Sequence, residues 1–331
     1  MNRRFFALSN KTGVFDVELN LQDVMLSSST IHQKKSNSME IEKALETVLR
    51  QMRITGFRSR TISDYSLHMS KFQQLTGIKY LDEITTDTIY EWLGSMNVKN
   101  STKLVRLKCL KAILGKFFDN GWIDFKFWKT INIKVDKNIK KGSTANDINV
   151  LLSLLNLNSF AGLRDAVAIL TLYKTGVRIN TLGQIEEKHI DFEEMVINLD
   201  GAILKNHEFL KLPIDDQMIN LLRVLIKQNN KIRQRNNQSN QFIFLTAKGT
   251  TIHSKTTTNT ISKRLNKYAK KYELQNINPH AMRRGFAKNL LNKGASVALI
   301  SKALGHSDLA VTTQYLDLDT EEVANSLRNF L

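Results

Sequence analysis

Apolar residues recur at helical spacing through residues 39–130, and the pattern changes beyond them. Ile41, Leu45, Val48, Leu49 and Met52 share one helix face. Ile89, Trp92, Leu93 and Met96 form a second stripe behind the capping candidates Thr85 and Thr86. Leu107, Leu110, Leu114, Phe117 and Phe118 form a third, which ends near the turn Asp119-Asn120-Gly121. Between the first two, RSRTISDYSLHMSKF opens a helix whose Tyr65, Met69 and Phe72 point inward. Each stripe leaves its opposite face polar, so the segment predicts a small bundle of four or five helices packed on one another.

After Trp128 the stretch INIKVDKNIKKGS is polar and lysine-rich without a helical stripe, which places a linker at 131–143 and a second domain over 144–331. Residues 147–175 read as helices. MVINLDGAILKNHEFLKLPI (195–214) reads as paired short strands closed by Pro213. QNNKIRQRNNQSNQ (228–241) reads as a polar loop ahead of the short apolar run Phe242 to Leu245. A further helix begins at Thr258, with Ile261, Leu265, Tyr268, Ala269 and Tyr272 on one face and Lys263, Lys267, Lys270 and Lys271 on the other. Residues 1–38 form an N-terminal extension in which FDVELNL alternates with period two. The expected fold class is mainly α with a small antiparallel β-sheet (α+β).

Composition narrows the classes. The chain has 331 residues, 42% hydrophobic and 24% charged, which suits two globular domains and excludes disordered, collagenous and membrane classes. The single Cys109 excludes a disulfide framework and leaves too few thiols for a structural zinc site. The N-terminus has only a four-residue apolar run, short of a signal peptide. No stretch approaches the ~20 apolar residues of a membrane helix. The expectation is a cytoplasmic protein.

Charge points to a partner. Lys plus Arg number 48 against 31 acidic residues, a net +17. The excess is local: 202–307 holds 19 basic and 4 acidic residues, flanked by segments of net −4 on either side. A solvated lysine-rich surface is the plain reading of such charge; a polyanion, nucleic acid first, is the functional one.

The candidate chemistry lies in NPHAMRRGFAKNLLNKGASVALISKALGHSDLAVTTQYLDL. His280 and Arg283 fall three residues apart on one helix face, while Phe286, Leu290 and Leu291 supply the core face. Gly294 and Gly305 suit helix C-caps and Ser307 an N-cap, which puts His306 at a turn before a helix bearing Tyr315. TGVR (175–178), Lys205, HAMR (280–283), LGHS (304–307) and Tyr315, taken as an ordered set, resemble the tyrosine recombinase (phage integrase) family over most of 144–318. The helical 39–130 segment resembles the family's SAM-like core-binding domain more loosely.

The resemblance implies a site-specific recombinase that cuts and rejoins DNA through a 3′-phosphotyrosine without metal, ATP or other cofactor. Arg178 and Arg283 would be the catalytic arginines, His280 the intervening histidine, His306 the second histidine and Tyr315 the nucleophile. Lys205, eight residues before Pro213, would open the family's hairpin pattern as general acid; Lys211, late on the returning strand, fits less well. The chemistry agrees with these identities. Guanidinium forks hold the non-bridging oxygens of a phosphorane bidentately, and a phenol of ordinary pKa ~10 needs a base and cationic surroundings to attack near neutral pH. His306 is expected to donate a hydrogen bond to the phosphate.

Candidate DNA contacts are Arg58 and Arg60 at a helix N-terminal end, and Lys255, Lys263, Arg264, Lys267, Lys270, Lys271 and Arg284. The family pattern is broken at Thr181, often acidic in relatives, and at Arg284-Gly285. The alternative reading is a non-catalytic DNA-binding regulator, such as a phage repressor, that keeps the fold; a type IB topoisomerase-like enzyme shares the chemistry. The resemblance also implies a clamp of two domains on double-stranded DNA, a dimer per site and a tetramer in synapsis, and an accessory directionality factor, in a bacterial or phage-encoded, nucleoid-associated protein. Val323, Leu327, Phe330 and Leu331 form a C-terminal apolar stripe that would dock on a neighbour or on its own domain.

Overall fold

Four helices, α1 (Ile41–Ile54), α2 (Ser59–Thr76), α3 (Thr86–Ser95) and α4 (Asn100–Asp119), build the first unit around the apolar stripes. The computed structural model describes residues 39–136, 140–204, 206–253, 259–306 and 308–316. The FDVELNL segment, Lys205, Lys255, Ser307 and the C-terminal stripe from Val323 to Leu331 lie outside the described residues. The chain divides into two compact units, Met1–Lys137 and Asn138–Leu331.

In the first unit, Thr85 caps α3 by accepting the Thr88 amide at 3.2 Å, which satisfies one of the amides a helix start leaves unpaired. The centre of the bundle is Trp92 against Phe72, edge to face with ring centroids 5.3 Å apart. Ile41, Met52, Met69, Leu110 and Phe117 close around them with no exposed surface. Burying each such side chain contributes roughly 1.5–3 kcal/mol. Arg58 is the N-cap residue of α2, and Arg60 in its first turn pairs with Asp64 at 3.0 Å.

The second unit is organised by α6 (Phe160–Thr175), which follows α5 (Ala145–Ser153) and is buried over most of its circumference. Such a helix needs neighbours on all sides, and α8 (Asp216–Arg235) and α10 (Pro279–Asn292) pack on it. After the short α7 (Ile179–Leu182), strands β1 (Ile190–Asp191), β2 (Val196–Leu199) and β3 (Leu210–Pro213) form an antiparallel sheet in the order β1-β2-β3. Pro213 pairs with Val196 at the outer end of the edge strand, where its missing N–H costs least. The lysine-faced helix α9 (Thr260–Lys271), then α11 (Val297–Leu304) and α12 (Leu309–Leu316), complete the described part.

One expectation fails here. The polar stretch 228–241 is not all loop, because α8 runs through it to Arg235. Its polar residues serve the interior: buried Asn229 donates to the Ile243 carbonyl at 2.7 Å, and Arg233 reaches Glu187 at 2.6 Å and the Phe242 carbonyl at 2.7 Å. These bonds fasten the following 242–245 run against the helix, a use of Asn and Arg that composition does not reveal.

Candidate active site

Arg178 stands at the N-cap of α7, directly after the Gly176 turn that ends α6. Gly176 has φ +65°, and a Cβ there would lie 2.4 Å from the Phe286 ring, so both backbone sign and space require glycine. That turn presents the Gly176 carbonyl to the Arg283 guanidinium, which also donates to the Leu304 carbonyl at the end of α11. Arg178 reaches the neighbouring Gly305 carbonyl at 3.4 Å. Two arginines thus converge on one α11 terminus, whose C-terminal carbonyls attract cations.

Arg283 is 3% exposed, and its pKa is lowered to about 10 by burial and by Arg178, with a hydrogen bond to Tyr315 opposing the shift. It stays protonated at neutral pH, but it shares a desolvated space with a like charge. Its Nε is buried without a hydrogen-bond partner. Concentrated positive charge with a spare donor is what an anion would relieve.

His306 follows the αL cap Gly305 (φ 59°), so its ring turns back toward α10. Nε2 lies 3.1 Å from an Arg283 guanidinium nitrogen and Nδ1 lies 2.9 Å from the Thr312 hydroxyl. Burial first, then Arg283 and Arg178, pushes its pKa down to about 4. Tyr315 packs edge-on to His306 with centroids 5.0 Å apart, and its ring centre lies 5.9 Å from the Arg283 guanidinium carbon. His280, at the solvent-facing head of α10, has its pKa lowered by burial and by the charges of Arg284, Arg283, Lys140 and Arg178. A neutral histidine has a free ring nitrogen with which to accept a proton.

The structure therefore brings Arg178, His280, Arg283, His306 and Tyr315 to one place, while Lys205 lies outside the described residues. Lys211, the less favoured lysine, is occupied by Glu194 on the exposed face of β3. Both ring nitrogens of His306 are engaged inside the protein, Nε2 with Arg283 and Nδ1 with Thr312. Thr181 is 2% exposed and donates to the Ile203 carbonyl at 3.2 Å, tying α7 to the segment leading to Lys205.

Two of the candidate DNA contacts also bond within the protein. Arg264, grouped with the lysines, is turned inward to buried Asp165 and Tyr268; it locks α9 to α6 beside the Arg164–Asp165 pair. Lys263, Lys267, Lys270 and Lys271 remain on the outer face, around an open hollow shared with Asn266. Arg284 donates through Nε and a terminal nitrogen to the Lys141 carbonyl at 3.1 and 2.9 Å. Beside it, the Ser143 amide donates to the Ala281 carbonyl at 2.9 Å, and a Cβ on Gly285 would lie 2.2 Å from the Ser143 carbonyl oxygen. The unusual Arg284-Gly285 pair thus fastens the 141–143 segment onto α10 and carries Lys140 toward His280.

Sequence reasoning missed Thr312 and Lys140. Thr312 sits three residues before Tyr315, on the same side of α12, and that spacing was the available signal.

The model of the phage integrase family matches residues 143–322. The tyrosine recombinase XerD of Staphylococcus haemolyticus is 26% identical over 301 residues, covering 88% of this chain and 99% of the relative. Among solved structures, the Tn1549 transposon integrase in complex with transposon right-end DNA is similar with a TM-score of 0.68 and 21% identity, covering 87% of this chain and 99% of that one. A lambda integrase tetramer bound to a Holliday junction is similar with a TM-score of 0.64 and 15% identity, covering 91% and 87%. These structural likenesses show a shared fold.

Proposed function

Because the chain belongs to the phage integrase family, we propose that it is a site-specific DNA recombinase whose nucleophile is Tyr315. The observation that carries the reading is the convergence of Arg178, Arg283, His280, His306 and Tyr315 around one electropositive, partly buried space. No observation favours a regulator that has given up the chemistry.

The Tyr315 phenol oxygen attacks a DNA phosphate, forming the tyrosine–phosphorus bond while the bond to the 5′ oxygen breaks. The products are a 3′-phosphotyrosine and a free 5′-hydroxyl. Arg178 and Arg283 take the charge that grows on the non-bridging oxygens, in surroundings dry enough to strengthen the interaction. His280, whose pKa is lowered by burial and then by the four cations near it, accepts the phenol proton. Lys205 is assigned the proton for the leaving oxygen by its place in the KNHEFLKLP pattern. Resealing reverses the steps with a different 5′-hydroxyl, so bond energy is conserved and no nucleotide is consumed.

The lysine face of α9 supplies phosphate contacts at Lys263, Lys267, Lys270 and Lys271, with Lys255 preceding it. Arg58 and Arg60 are the corresponding candidates on the first unit. The domain reading assigns 39–130 to core binding, 131–143 to the linker and 144–331 to catalysis. Two protomers occupy a site and four a synapse, a reading supported by a lambda integrase dimer bound to a core site and a lambda integrase tetramer bound to a Holliday junction. An accessory directionality factor and a nucleoid-associated location in the cytoplasm complete the reading. Among the described residues no helix is long and apolar enough to cross a membrane.

The test is a nicked duplex carrying the protein's own footprinted site. Loss of the nicked fragment traps the cleaved state, and a denaturation-resistant protein–DNA adduct is expected. Its absence on a bound site overturns the enzymatic reading.

A further inference from the structure

Thr312 has no part in the steps above, yet it is 0% exposed and its hydroxyl lies 2.9 Å from Nδ1 of His306. The partner of Nε2, a guanidinium nitrogen of Arg283 at 3.1 Å, can only donate. Nε2 must therefore offer its lone pair. In a neutral ring the one proton then resides on Nδ1, and the Thr312 oxygen is its acceptor.

We propose that Thr312 is a positioning residue that fixes His306 as the Nδ1–H tautomer, with the Nε2 lone pair aimed at Arg283. The inference rests on the recombinase reading for its catalytic consequence, but not for the tautomer itself. Burial and the charges of Arg283 and Arg178, which hold the His306 pKa near 4, keep the ring neutral throughout the physiological range. The groups facing the ring are Arg283 from α10, Arg178 from the turn after α6, and Thr312 and Tyr315 from α12.

The arrangement links three elements. Arg283 holds His306, His306 holds Thr312, and Thr312 shares α12 with Tyr315 one turn on. The nucleophile-bearing helix is thereby tied to a phosphate-binding arginine in the same chain. A ring with its proton on Nε2 would set an N–H against the guanidinium and push Arg283 from its place.

The experiment uses the full chain labelled with 15N-histidine at pH 7 without DNA, the His306 signals being identified by their loss in His306→Asn. A pyrrole-type Nδ1 and a pyridine-type Nε2 are expected. Thr312→Val should shift the ring toward the Nε2–H form and slow adduct formation about tenfold, with DNA affinity unchanged and with Thr312→Ser restoring both. A wild-type ring that is Nε2-protonated or doubly protonated overturns the proposal, as does a Thr312→Val spectrum identical to wild type. Should Thr312→Val not fold, the wild-type spectrum and Thr312→Ser still decide. Absence of any adduct in the wild type contradicts the recombinase reading and leaves the tautomer to the spectra.

Discussion

Arg283 donates to Nε2 of His306 across 3.1 Å, a bond that only an uncharged imidazole can accept. Protonation of that ring would place a third positive charge beside Arg283 and Arg178. An anion in the same space would relieve the repulsion among these groups.

The first prediction follows from the sign of that shift. His306 titrates near 4 in the folded chain against an ordinary 6.5, so the unfolded chain binds more protons between those values. Stability contributed by the neutral ring is present above about 6.5 and is lost as pH falls toward about 4. Thermal unfolding across pH 7 to 4 should show a steeper fall for the wild type than for His306→Asn. Parallel curves would contradict the assignment.

The repulsion between Arg178 and Arg283 makes a second prediction. Sulfate or phosphate should raise the melting temperature of the wild type by mass action, and the effect should shrink in Arg178→Ala. Arg283→Lys should slow adduct formation by roughly 10²–10³, because one ammonium replaces a fork that spans two carbonyls and the phosphate. A lysine variant that reacts at the wild-type rate would remove Arg283 from the chemistry.

On α9, neighbouring cations should behave differently. Lys263→Ala or Lys267→Ala should leave thermal stability unchanged and reduce the log–log salt slope of DNA binding by about 0.9 per lost phosphate contact. Arg264→Ala should instead lower stability by about 1–3 kcal/mol, since it strips a partner from buried Asp165. Salt titrations and chemical denaturation of the three variants separate the two roles. An altered salt slope in Arg264→Ala with unchanged stability would return that residue to the DNA-facing group.

At the 141–143 segment, Gly285→Ala puts a methyl 2.2 Å from the Ser143 carbonyl oxygen, and the clash should cost about 1–3 kcal/mol. Arg284→Ala removes the hold on the Lys141 carbonyl, so trypsin should cut after Lys140 or Lys141 faster while the global unfolding transition stays in place. Equal cleavage rates would show that Arg284 does not fasten the segment.

Much of this was legible in the sequence because it follows simple periodicities. The stripe from Ile41 to Met52, the Thr85 cap and the strand pair around Pro213 each obey a local rule, and each appears as an element of the fold. The site was legible through order and spacing, His280 to Arg283 on one face and Tyr315 after a sharp turn. What escaped was the direction in which a polar side chain turns. Asn229 and Arg233 look like loop residues but satisfy the carbonyls of Ile243 and Phe242. Arg264 has the same charge as Lys263, and only the buried Asp165 on α6 distinguishes them. Thr312 resembles any helical threonine until the histidine ring is set against it.

The most direct test is to digest the trapped protein–DNA adduct and sequence the modified peptide by mass spectrometry. A phosphodiester link from the 3′ end of the DNA to Tyr315, a free 5′-hydroxyl on the other fragment, and no adduct from Tyr315→Phe are expected. A link to another residue, attachment through the 5′ end, or an undiminished adduct in Tyr315→Phe would contradict the recombinase reading.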